Sequence, residues 1–292
     1  MMSKFLPCTT VTVSQLAQAR VLASSLAAAG YDRRLQVLVI DDVHGATVNR
    51  DEPFDRYRPE DIGISPRELH ELAAFLEEAE LVDALRPRFL ISLLDRDETP
   101  VVHFDVNTVV YEPLEALEDA IADHAIVVLP IDASPLTRDG LRPTENEVLT
   151  AGIWEPGFLA VDRPGVDFLR WWAERLRFGS ARAAGRPTDG GKWLDLASAY
   201  FELWPLNDRG LAVSYLNALT RHLQWTDDRY LADGVLLRSF IFRGFDPLRP
   251  WALSDRQGDR PRVLLSENPA LARLCHDYAA DLNSSGFELA RS

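Results

Sequence analysis

Asp105 and Asn107 stand one residue apart within the stretch Pro100-Val-Val-His-Phe-Asp-Val-Asn-Thr-Val-Val-Tyr-Glu-Pro113. The valine-rich run reads as a buried strand, so both side chains fall on the loop beyond it and face one site, while Val106 points elsewhere. Such a pair could hold a nucleotide, a divalent cation or both, because ligands of open α/β sheets sit outside the carboxyl ends of the strands. An Asp-x-Asn is also a common Asx turn, and spacing alone favours that plainer reading. His103, inside the strand, reads as a packed core histidine rather than a ligand.

The preceding elements give the pair a frame. Residues 8–13 form a β-branched run, residues 14–29 a helix with Leu16, Ala19, Ala23 and Leu26 at helical spacing before Gly30, and residues 35–40 a second buried strand. A βαβ crossover is almost always right-handed, which brings the strand ends to one edge of the sheet. Thr10, Asp41 and Asp42 therefore join Asp105 and Asn107 as candidates for a nucleotide, with a solvated turn as the alternative for the two aspartates.

Residues 49–64 carry two prolines and many charges and read as a surface loop. Ser65-Pro66-Arg67-Glu68 is a capping box with proline at the first helical position, and Leu69, Leu72, Leu76 and Ala79 line the helix it starts. Pro87 opens a separate helix over 88–95. Beyond Pro113 a helix with Leu114, Leu117 and Ile121 leads to a strand at 125–129, and a polar loop spans 130–146. A strand at 157–161 precedes an amphipathic helix at 168–178, whose Trp171-Trp172 pair belongs to the core. Residues 180–191 read as a loop, 193–204 as a helix carrying Asp195, and 211–216 and 236–242 as strands. Asn268-Pro269 caps the closing helix. No internal repeat occurs.

With 292 residues, 47% of them hydrophobic, the chain can bury a large α/β core. Thirty-one Lys plus Arg face 45 Asp plus Glu, and the net charge of −14 repels nucleic acid and anionic membranes. Cys8 and Cys275 are the only cysteines, too few for a disulfide framework or a thiolate zinc cluster. No stretch has the apolar length of a signal peptide or a membrane span, so a cytoplasmic protein is expected. Walker loop, glycine-rich dinucleotide fingerprint and Ser-His-Asp triad are all missing from the sequence.

Several blocks in order are similar to bacterial nucleotide-sugar glycosyltransferases of the A-type fold. They include Arg20-Val-Leu-Ala-Ser-Ser-Leu26, Val37-Leu-Val-Ile-Asp-Asp42, Leu85-Arg-Pro87 and Phe104-Asp-Val-Asn-Thr-Val-Val-Tyr-Glu-Pro-Leu114. The similarity continues at Ala151-Gly-Ile-Trp-Glu-Pro-Gly-Phe-Leu-Ala-Val161, Phe168-Leu-Arg-Trp-Trp-Ala-Glu-Arg-Leu176, Lys192-Trp-Leu-Asp-Leu196, Tyr215-Leu-Asn217 and the block from Phe240 to Ser254. Colinearity over nearly the whole chain is what makes the resemblance specific. It implies an α/β fold: one Rossmann-like glycosyltransferase domain over 1–292, with a mixed central sheet flanked by helices. Residues 1–113 would be the nucleotide-binding half and 114–292 the acceptor half with the C-terminal helix. The implied donor is a nucleoside diphosphate sugar and the acceptor a small molecule, with distant likeness to glycogenin-type enzymes.

In that family an Asp-x-Asp element contacts ribose and metal, and a late histidine completes a metal shell. Here Asn107 stands at the second carboxylate, Ile241 at the late histidine and Leu219 at another histidine, while Gly190-Gly191 replaces Asp-Gln and Glu155 replaces Asn. A divalent Mg²⁺ or Mn²⁺ is thus doubtful as cofactor, and no residue is assigned to a metal. The leaving diphosphate still needs compensation. Arg243, two residues after Ile241 on the same strand face, is the expected source, with Arg221 and His222 behind it. Asp195, followed by Glu155 and Asp189, is expected to act on the acceptor hydroxyl. A catalytically silent sugar-nucleotide-binding protein is the alternative that these departures raise.

Overall fold

The computed structural model describes residues 4–42, 51–131, 135–177 and 190–287. Its centre is β1 (Leu6–Val11), in which all six residues are buried. Parallel neighbours flank it on both sides, β2 (Leu35–Val39) and β4 (Val101–His103), with Cys8 opposite both Gln36 and His103. A strand enclosed in this way must be apolar on both faces. On one face Val11, Val37 and Val102 pack with Leu16, Ala19 and Leu22 of α1 (Leu16–Ala28). On the other, Cys8, Leu38 and Val101 meet Leu85, Phe89 and Leu93 of α3 (Glu78–Arg96). Gly30, at φ +94°, ends the α1 segment in a conformation that glycine adopts freely.

The full sheet runs β3 (Phe54–Tyr57), β2, β1, β4, β7, β6, β8. Its second half turns antiparallel: β7 (Leu159–Val161) runs against β4 and against β6 (Ile126–Val128), and β8 (Trp204–Pro205) closes the edge parallel to β6. Beyond the Asp105–Asn107 loop, β5 (Thr108–Val110) enters a second sheet, β5-β13-β9, with β13 (Ser239–Ile241) antiparallel to it and β9 (Val213–Ser214) parallel to β13. α8 (Pro269–Ser284) buries Leu271, Leu274, Cys275 and Tyr278 against Phe240 and Phe242 of this sheet region. Among the described residues no helix is long and apolar enough to cross a membrane.

Several sequence expectations need correction. Pro87 does not open a helix; it lies inside α3, and α2 (Pro66–Ala73) ends well before it. An interior proline removes a hydrogen bond and crowds the preceding turn. Burial of Leu85, Phe89, Leu90, Leu93 and Leu94 between the sheet and α6 (Val166–Leu176) holds α3 through that break. Within the expected loop at 49–64 lies β3 (Phe54–Tyr57), whose Asp55 and Arg56 are typical of a charged edge strand. The expected loop at 130–146 gives way to α5 (Glu145–Ala151), and the helix carrying Asp195, α7 (Gly190–Ala197), stops short of Trp204, which is in β8. A meander of β10 (Leu223–Thr226), β11 (Arg229–Ala232) and β12 (Val235–Leu236) was not expected at all. Asn268 precedes α8, but its amide donates to the Leu264 carbonyl instead of capping the helix. Most of the 180–191 loop lies outside the described residues.

Candidate active site at the strand ends

Register brings the site together. Ile241 pairs with Thr108, and the Phe242 N–H donates to the Asn107 carbonyl at 2.8 Å, so Arg243 arrives beside Asp105. From the other side, antiparallel pairing of His103 with Leu159 carries the chain back to Gly157 and Glu155 near the same point. The Arg243 guanidinium donates through Nε (3.0 Å) and Nη2 (2.6 Å) to Asp105 Oδ2, and through Nη2 to Glu155 Oε1 at 2.6 Å. Side-chain exposure is 13% for Asp105, 17% for Arg243 and 4% for Glu155, so the cluster is largely removed from water. A Cβ on Gly157 would stand 2.6 Å from both Arg243 Nη2 and Asp105 Cβ, and only the missing side chain lets this segment approach the pair.

The other Asp105 oxygen is occupied too. Oδ1 accepts the Asn107 N–H and the Asn107 amide, both at 2.9 Å. The Asx turn and the shared site are therefore the same feature. A carboxylate offers about four lone-pair positions, and four donor contacts from Asn107 and Arg243 meet Asp105. Burial alone would raise the Asp105 carboxyl, but Arg243 and the Asn107 N–H outweigh it and hold the pKa at about 2. The same two carboxylates, Glu155 first, overcome burial to keep the Arg243 guanidinium firmly charged.

These residues do not fit a divalent cation. Asp105 has no oxygen to spare, Asn107 turns its amide nitrogen toward Asp105, Ile241 is buried and apolar, and Leu219 is half exposed. No group of three His, Cys, Asp or Glu side chains among the described residues could hold a metal. The polar centre contains a guanidinium in place of an ion.

A cavity of about 330 Å³ opens against this cluster, lined by Thr10, His103, Asp105, Asn107, Arg243 and the Tyr215–Arg256 wall. His103 is buried, with Nδ1 3.2 Å from the Gly157 carbonyl. A carbonyl only accepts, so Nδ1 carries the proton. Burial, reinforced by the nearby Arg86 charge, keeps the imidazole neutral by lowering its pKa well below the usual value. Arg86, from α3, donates to the Pro156 carbonyl at 2.6 Å, pairs with Asp83, and lies 5.8 Å from the Trp172 ring centroid.

The remaining expected residues are tied into local structure. Asp41 Oδ1 accepts the Val13 N–H at 2.7 Å, and Asp42 pairs with Arg56 at 2.6 Å. Asp195 Oδ1 accepts the Ile153 N–H at 2.9 Å, with Lys192 3.4 Å from its other oxygen; it braces the turn after α5. Arg221 donates to the Arg209 carbonyl beside a separate cleft near Leu129 and Leu206. The exposed His222 meets Asp233 through its backbone: its N–H donates to Asp233 Oδ1 at 2.9 Å and its carbonyl accepts the Asp233 N–H at 3.0 Å. Asp189 lies outside the described residues. Arg86, Tyr215 and Arg256 carried no assignment from the sequence, although an arginine among Leu85 and Phe89 on a buried helix face is a visible signal.

No family profile and no characterised protein sequence is similar enough to match the chain. Its fold, however, is similar to the galactosyltransferase LgtC solved with donor and acceptor sugar analogues: TM-score 0.50, 15% identity, covering 94% of this chain and 95% of that one. It is also similar to the glycosyltransferase GlyE of Streptococcus pneumoniae TIGR4, with TM-score 0.50, 10% identity and coverage of 96% of this chain and 63% of that one. A seven-stranded mixed sheet flanked by helices, superposing on these enzymes over nearly its whole length, shows that the chain has the A-type glycosyltransferase fold.

Proposed function

We propose that this protein transfers a sugar from a nucleoside diphosphate sugar to a small acceptor molecule without a divalent metal. The observation that carries the reading is the cavity at the carboxyl ends of β1 and β4, walled by Asp105 and Arg243, with Glu155 paired to Arg243 behind that wall, within an A-type glycosyltransferase fold. Residues 1–113, with Thr10 at the cavity, form the nucleotide side, and 114–292 the acceptor side. The buried, unpaired Cys8 and Cys275 agree with work in the cytoplasm.

In the reaction, the bond between the sugar's C1 and the diphosphate oxygen breaks, and its electron pair stays on the diphosphate. The acceptor oxygen bonds to C1 and gives up its proton to a carboxylate or to water. Arg243 holds Asp105 at a fixed position on the cavity wall and pairs with Glu155 behind it, and Asn107 fixes the remaining Asp105 oxygen. Asp195 acts through the backbone it holds, as a positioning residue for the acceptor wall, and Asp189 stays the neighbouring candidate.

A second reading, a sugar-nucleotide-binding protein without turnover, is favoured by one observation: Asp105, Glu155 and Asp195 all spend oxygens on internal partners. Incubating the purified protein with UDP-, GDP- and ADP-sugars, with and without EDTA, separates the two. Release of nucleoside diphosphate that persists in EDTA supports transfer. Ligand-dependent stabilisation without release supports silent binding, and neither stabilisation nor release for any sugar nucleotide sinks both.

A further inference from the structure

We infer that Arg256, with the Tyr215 hydroxyl, binds the diphosphate of the donor, an assignment that rests on the sugar-nucleotide reading above. Three arginines line the cavity among the described residues: Arg86, Arg243 and Arg256. Two are committed elsewhere. Arg86 is held by Asp83 and the Pro156 carbonyl, and Arg243 by two carboxylates that together outnumber its single charge. Arg256 is different: it is exposed, and among the described residues its one hydrogen bond is from its backbone N–H to Ser254 Oγ at 3.3 Å. No described residue takes a hydrogen bond from its guanidinium, whose donors face the ligand side.

The backbone beneath that side chain is fixed. Residues Asp255–Gln257 form a short helical turn, and Ser254 Oγ donates to the Arg243 carbonyl at 2.8 Å while the Asp255 N–H donates to the Gly244 carbonyl at 2.8 Å. Gly244, at φ +75°, permits this docking: a Cβ there would run into the Asp255 carboxylate and come within 2.5 Å of Ser254 Oγ. The strand end that delivers the largely enclosed Arg243 thus also anchors the turn that presents Arg256. Tyr215, on the same wall, has a phenol that burial pushes up in pKa, with Arg256 and then Arg243 opposing that shift, so the Arg256 charge acts at Tyr215. Its hydroxyl has no hydrogen bond among the described residues.

Phosphate oxygens only accept, and a guanidinium beside a phenol only needs to donate to them. The diphosphate gains charge as the C1–O bond breaks, so a cation with unspent donors at the cavity wall stabilises the leaving group more than the bound donor. A pinned backbone under a free side chain lets Arg256 close on the ligand without rearranging the fold.

Calorimetric titration with UDP, GDP, ADP and the matching nucleosides tests the assignment on the wild type, Arg256→Ala, Arg256→Lys and Tyr215→Phe. Arg256→Ala should weaken the preferred nucleoside diphosphate about tenfold or more while leaving nucleoside affinity within about twofold. Arg256→Lys should recover part of the loss, and Tyr215→Phe should show a smaller one. Diphosphate affinity of Arg256→Ala within about twofold of wild type overturns the role of Arg256 and leaves the sugar-nucleotide reading standing. A wild type that binds none of the nucleoside diphosphates overturns both.

Discussion

Arg243 and Arg256 reach one cavity from the same strand end, yet their surroundings differ in kind. Arg243 is enclosed, and the two-pronged edge of its guanidinium is spent on Asp105 with a further bond to Glu155. Arg256 stands at the surface on a turn whose backbone is pinned, and among the described residues its side chain has no partner in an ion pair or hydrogen bond. An enclosed charge must be neutralised internally, because desolvation without compensation costs several kcal/mol per ion. A charge at the rim stays hydrated and can exchange water for ligand at little cost. The first arginine therefore belongs to the architecture of the site and the second to its chemistry.

The largest consequence concerns removal of the enclosed charge. Arg243→Ala leaves Asp105 and Glu155 facing each other with nothing between them, and breaking a buried pair in this way costs about 3–5 kcal/mol. Urea denaturation should show that loss in the midpoint, while Arg256→Ala should move it by no more than about 0.5 kcal/mol, as for an ordinary surface change. A loss below about 1 kcal/mol in Arg243→Ala, the worth of an exposed ion pair, would show that solvent screens the cluster and that the contrast between the two arginines is false.

Acid should act on one arginine's partner and spare the other. Folding lowers the Asp105 carboxyl from 3.8 to about 2, with burial opposing the change and Arg243 and Asn107 driving it. A depressed carboxylate pKa contributes stability that is fully present above the unfolded value. That contribution disappears as pH falls from about 4 through about 2 and is on the order of 2 kcal/mol. Asp97, also lowered to about 2, and Asp139, Glu147 and Asp233 lose stabilisation in acid as well, so the informative quantity is the difference between wild type and Asp105→Asn. That difference should shrink between pH 4 and pH 2; a constant offset over this interval would remove the ion pair from the account of stability.

Much of this arrangement was legible in the sequence where the signal is local. The Asp-x-Asn spacing announced the Asx turn that forms, and Arg243, expected on the strand face of Ile241, arrives beside Asp105 although β13 ends at Ile241. The Ser65 cap was equally readable: its hydroxyl accepts the Glu68 N–H. Glu155 was named for the acceptor hydroxyl, but its pairing with Arg243 was not legible, because its approach depends on antiparallel β4–β7 pairing between residues far apart in sequence. Arg256 was hidden for the same reason, its position being set by Gly244 and Ser254 through bonds across the turn. Pro87 misled because local propensity yields to burial along α3. The meander, by contrast, had a usable signal: Asp227-Asp228 and Asp233-Gly234 are two-residue turns with φ values from 49° to 79°, the backbone required for a tight hairpin.

The smallest effect expected is that of a divalent cation. Mg²⁺ and Mn²⁺ take oxygen ligands, and a productive site beside a diphosphate normally includes at least one carboxylate oxygen from the protein. The four donor contacts to Asp105 leave it none to offer, and an incoming cation would have to displace the Arg243 guanidinium from a largely enclosed ion pair. Like charge opposes that exchange, and the displaced guanidinium would lose Glu155 as well. Addition of Mn²⁺, or its removal with EDTA, should therefore change neither the melting temperature nor the affinity for a nucleoside diphosphate. The Arg243→Ala variant sharpens the test, since it vacates the space between two carboxylates and could acquire Mn²⁺ affinity that the wild type lacks. Stabilisation of the wild type by Mn²⁺ would mean that the cation binds without Asp105, and the guanidinium could then no longer be regarded as standing in its place.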